Sequence, residues 1–60
     1  MKRAEIVQRL RNTAESMKFT AGTLEFYGGS SEAVQHAEEM AGAAEIVSSW
    51  ADELEKEETK

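Results

Sequence analysis

Ala37-Glu38-Glu39-Met40-Ala41-Gly42-Ala43-Ala44-Glu45-Ile46-Val47-Ser48-Ser49-Trp50-Ala51-Asp52-Glu53-Leu54 decides the fold. Within it Ala37, Met40, Ala44, Val47, Ala51 and Leu54 recur at alternating three- and four-residue steps. On a helix that alternation stacks them in one narrow seam, the a/d pattern of helices packed as in a coiled coil. Every a position is Ala and every d position is larger. Small a residues let a neighbouring backbone come close, and the d residues fill the layers between. The stretch therefore predicts how the chain assembles before it says anything of what the chain does.

A second seam lies upstream. Val7, Leu10, Ala14, Met17, Ala21 and Leu24 follow the same alternation, and Gly28 falls on the next a position. This predicts a first helix over about 2–27. Gly22, with Thr20 and Thr23 around it, weakens its last third, and a break near Gly22 is the alternative. Between the seams stands Gly28-Gly29-Ser30-Ser31-Glu32. Glycine ends a helix through the left-handed conformation, a serine hydroxyl caps the next one, and Glu32 suits its positive first turn. A second helix is expected over about 31–57, with the last few residues fraying.

Two long helices joined by a short loop form an antiparallel hairpin. In a hairpin turning near position 29, facing residues have position numbers of nearly constant sum. The a pairs Val7–Ala51, Ala14–Ala44 and Ala21–Ala37 all sum to 58, and the d pairs Leu10–Val47 and Met17–Met40 sum to 57. Two independent periodicities agree on one register.

Apolar residues also spread beyond the seams, to Ile6, Val34, Ala41, Ala43, Ile46 and Trp50. One partner helix cannot cover so wide a face, and a hairpin of this size has little core of its own. The fold expected is all-α: a single helical-hairpin domain over residues 1–60 that dimerises into a four-helix bundle. In length and packing pattern the layout resembles the Rop family of hairpin dimers, with small a and large d residues. That resemblance implies the bundle. Rop proteins bind paired RNA loops through an Asn, a Phe and a Gln at four-residue intervals on the outer face of the first helix. At those intervals this chain has Asn12, Ser16 and Thr20, so RNA binding does not carry over.

Composition narrows the function. The chain has no Cys and no Pro, which excludes disulfides and thiol chemistry and favours helix throughout. No apolar run approaches the roughly 20 residues of a membrane span, and Glu5 and Arg9 interrupt any signal-peptide core. A cytoplasmic protein with no membrane association is expected. Residues 1–28 hold five cations against three acids, a net of +2, whereas residues 29–60 hold nine acids against two lysines, a net of −7. In an antiparallel hairpin these halves lie side by side and offset each other. The overall charge of −5 repels phosphate, which argues against nucleic acid as a partner.

Three constellations are candidates for chemistry or contact. Glu38, Glu45 and Asp52 recur every seventh residue, with Glu39 and Glu53 beside them; this reads first as a solvated stripe. His36, between Glu32 and Glu39, lacks the Glu-x-x-His order and the facing carboxylates of a di-iron bundle, so no metal or other cofactor is expected. Phe19 and Phe26 fall on the outer face of a continuous first helix, with Gly22 between them. A bend at Gly22 would fold both rings onto the core beside Val34 and Tyr27, and that reading is preferred to a docking groove. No catalytic grouping stands out, and a seam of Ala and Leu leaves little room for substrate. The expectation is a non-enzymatic interaction or regulatory module acting as a homodimer with one protein partner. The alternatives are an acidic mimic that docks a nucleic-acid-binding protein and, third, a Rop-like nucleic-acid binder.

Overall fold

The computed structural model describes residues 1–58 and consists of two helices, α1 (Arg3–Tyr27) and α2 (Ser31–Glu58), packed against each other as a hairpin. Both lie within a residue of their expected bounds. The expected fraying falls on Thr59 and Lys60, outside the described residues.

The turn works through a division of labour between its two glycines. Gly28 remains in right-handed helical geometry, with its N–H donating to the Leu24 carbonyl at 2.9 Å. A side chain there would run into Ala33 and the Leu24 carbonyl, so Gly28 is small because the two helices nearly touch. Gly29 alone takes the left-handed conformation, at φ 70°. The Ser30 hydroxyl then accepts from the Ala33 N–H at 3.1 Å, and the Val34 N–H donates to the Ser30 carbonyl at 3.2 Å. Ser30 is thus the N-cap of α2, which satisfies one orphan donor of its first turn.

α1 runs unbroken through Gly22. A lone glycine costs about 1 kcal/mol relative to Ala. A break would instead forfeit a turn of backbone hydrogen bonds and the seam beyond it, where Ala21 is buried and Leu24 half-buried. Continuity is the cheaper outcome.

Among the described residues the buried ones are Val7, Ala14, Ala21, Ala37, Ala44 and Ala51, the three a positions of each seam short of the turn, with Ala44 and Ala51 at 0 % exposure. Every d residue (Leu10, Met17, Leu24, Met40, Val47, Leu54) is only half-buried. The predicted register holds: Met17 and Met40, a d pair, line one cleft, and Arg11 reaches across to Asp52 and Glu55. The helices meet along their alanines, and the larger d side chains lean out to one side.

Candidate functional site

Which surfaces are left open follows from the position of each side chain around its helix. Next to the d row lies the residue preceding each a position, the g row. From Ile6 to Tyr27 in α1 and from Ala33 to Leu54 in α2, no d or g position carries Asp, Glu, Lys or Arg. Ile6 and Trp50 stand on this face at 37 % and 54 % exposure, and Ile46 widens it at its edge. A cleft of about 330 Å³ indents it between Asn12, Thr13, Ser16, Met17, Thr20 and Met40.

The opposite flank holds charge. Arg11 donates to Asp52 Oδ1 at 3.1 Å and to Glu55 Oε1 at 2.8 Å. The hydrogen bond to Asp52 contributes most to raising the Arg11 pKa above its ordinary value, with Glu55 adding to it, so the guanidinium stays charged throughout. This fork joins the basic half of α1 to the acidic end of α2. All three acids of the stripe, Glu38, Glu45 and Asp52, are exposed, and Asp52 is engaged by Arg11 within the hairpin. His36 Nδ1 lies 3.3 Å from Glu39 Oε1 on the surface, and no three metal-ligating side chains converge among the described residues.

Phe19 and Phe26 do not turn inward. They are 78 % and 86 % exposed, and Tyr27 is 84 % exposed with its ring centroid 6.3 Å from that of Phe26. The inward packing expected from a bend at Gly22 is thereby overturned. The reason is spatial: at this level the helices approach through Ala21 and Ala37, which leaves no gap for a phenyl ring, and continuous α1 geometry carries both rings to the far side.

Together Lys18, Phe19, Gly22, Thr23, Phe26 and Tyr27 line a shallow groove of about 470 Å³. The Thr23 hydroxyl donates to the Phe19 carbonyl at 3.1 Å, so its polar atom is satisfied within the helix. Gly22 forms the floor. A methyl added there meets nothing within 4 Å, so packing inside the hairpin does not require glycine. Gly22→Ala is accordingly expected to stabilise the fold by about 0.5–1 kcal/mol, read as a higher urea midpoint at unchanged slope. A loss of stability would mean that something covers this spot in the free protein.

The sequence located the two phenylalanines and named Tyr27 beside them, though on the core side, but missed Lys18 and Thr23 as their neighbours, and it missed the cleft at Met17 and Met40. The readable signal was the lack of charge along the g row. Among the described residues no helix is long and apolar enough to cross a membrane. Compared with known proteins, the chain matches no family model, no curated protein and no solved structure.

Proposed function

We propose that this chain is a non-enzymatic interaction module that works as a homodimeric four-helix bundle and offers the Phe19–Phe26 groove to a protein partner. The observation that carries the proposal is apolar exposure in two distinct patches on one hairpin. The d/g face is free of full charges, as an interface core must be, and the aromatic groove lies further round α1, adjoining that face only at Tyr27.

Area supports the first half. The chain exposes 4707 Å², whereas a compact folded monomer of 6.7 kDa exposes roughly 3,900 Å². The excess, on the order of 800 Å², matches what one partner buries in a standard interface. A rod of 46 × 15 × 13 Å whose buried side chains, among the described residues, are one Val and five Ala has little core of its own to rely on. A second copy supplies it.

The second half rests on what would remain outside that bundle. Large exposed aromatic patches on soluble proteins mark contact sites. The groove has an apolar floor and rings spaced about 10 Å apart along the helix. Lys18, which pairs with no carboxylate among the described residues, stands on its edge. These features fit an amphipathic helix that lays an apolar ridge between the rings and an acidic side chain on Lys18.

The test is the Phe19→Ala/Phe26→Ala double variant. Its stability is expected to stay within about 0.5 kcal/mol of wild type, because neither ring holds the fold. Its mass by light scattering should remain twice that of the 6.7 kDa chain, with a melting midpoint that rises with protein concentration. A helical protein partner retained by wild type should be lost, since aromatic anchors dominate such contacts. A folded monomer at low micromolar concentration would remove the dimer. Undiminished partner binding would remove the groove.

A further inference from the structure

We infer that the second copy docks with its loop at the same end of the bundle, α1 of each hairpin packing on α2 of the other. This rests on the homodimer reading above and specifies its geometry. Two face-to-face arrangements have two-fold symmetry. An axis along the helices keeps the loops together. It sets each α1 over α2 of the second copy, at the level those helices share within one hairpin. An axis across the helices sends the loops to opposite ends and stacks α1 on α1 and α2 on α2.

Charge separates the two. Residues 1–28 carry a net charge of +2 and residues 29–60 one of −7, so stacking α2 on α2 sets the acidic halves together. The rim of the open face, next to the g row around each helix, makes the contrast local. On α1 it consists of Arg9, Ser16 and Thr23, and on α2 of Glu32, Glu39, Ile46 and Glu53, all exposed. With α2 on α2, one edge of the interface gathers the glutamates of both copies, and no Lys or Arg occurs from Gly29 to Glu55 to offset them. With the loops together, each acidic rim instead faces Arg9 and two hydroxyls. In the hairpin register Glu39 and Glu32 then come within about 4 Å axially of Ser16 and Thr23, and Glu53 within about 7 Å of Arg9. Like charges across an interface are penalised, and opposite ones select the arrangement.

Polarity along the g row favours the same choice. With the loops together Ile6 meets Trp50, Thr13 meets Ala43, and Thr20 meets His36. Ile6 and Trp50, 37 % and 54 % exposed in one hairpin, cover each other, and a hydroxyl meets an imidazole. The crossing axis, placed to pair Leu10 with Met17 and Met40 with Val47, sets Trp50 on His36 and Ile6 on Thr20. Polar groups are then buried against carbon, at a cost the first arrangement avoids.

The chain has no cysteine, so single thiols can be placed without background. Thr13→Cys and Ala43→Cys each put a small side chain on the open face. Each variant alone, and the two refolded together in equal amounts, are oxidised mildly and weighed by mass spectrometry. Docking with the loops together sets position 13 of one copy against position 43 of the other. Equivalent positions then lie on diagonal helices, about 14 Å apart for neighbours spaced about 10 Å. A disulfide spans no more than about 7 Å between Cα atoms. The expected covalent dimer is therefore the mixed one, holding one chain of each variant, with little from either variant alone. Loops at opposite ends would bring 13 to 13 and 43 to 43. Covalent dimers of the single variants without an excess of mixed product overturn this inference and leave the homodimer standing. Absence of the mixed product from protein of dimeric mass does the same, whereas a monomeric mass removes both.

Discussion

Ala44→Leu is expected to destabilise the protein by about 1–3 kcal/mol, read from urea unfolding at fixed protein concentration. Ala44 is 0 % exposed and pairs in the seam register with Ala14, itself 3 % exposed. A leucine there adds three carbon atoms to a layer with no space for them. The helices must separate or the side chain must leave its preferred rotamer, and either response disturbs the alanine layers above and below. Glu45→Leu, one residue further on, points to solvent and is expected to change stability by no more than about 0.5 kcal/mol. The contrast isolates packing from helix propensity, because both variants place the same residue in the same helix. Equal effects would mean that the alanine seam does not face its partner as described.

That seam was the most legible part of the molecule. Ala14 and Ala44 could be paired by arithmetic alone, because side-chain period and loop length each fix the register independently and both gave the same answer. The cap was readable as serine, though only geometry distinguishes Ser30, whose hydroxyl accepts from Ala33, from its neighbour Ser31. The glycines were half legible. Left-handed geometry was expected to end the first helix, and it occurs at Gly29, while Gly28 is glycine because Ala33 lies against it.

The aromatic groove was misread for a physical reason. Sequence reasoning sends large apolar side chains inward, and Gly22 offered a bend that would allow it. A two-helix layer joined through alanines has no interior volume to receive a ring, so burial was never available to Phe19 or Phe26 within one hairpin. The same limitation explains why the d row is only half covered. What a sequence pattern assigns to the core is a sum over all the helices that meet there, and one hairpin supplies two of them.

Met40→Glu turns this point into the sharpest expected result. In an isolated hairpin Met40 is half-buried and borders an open cleft, so a glutamate there could extend into water at small cost. In a four-helix bundle the same position is enclosed by the second copy. A carboxylate would then be buried with no cation near it, since no d or g position from Ile6 to Tyr27 or from Ala33 to Leu54 carries one. An uncompensated buried charge costs several kcal/mol, a large share of what a protein of this size has in total. Met40→Glu is therefore expected to abolish cooperative thermal unfolding and most helical circular dichroism at micromolar concentration. Gln35→Glu, on the exposed side of the same helix, is expected to leave both intact. Retention of a wild-type melt by Met40→Glu would refute burial of the d row and, with it, the bundle.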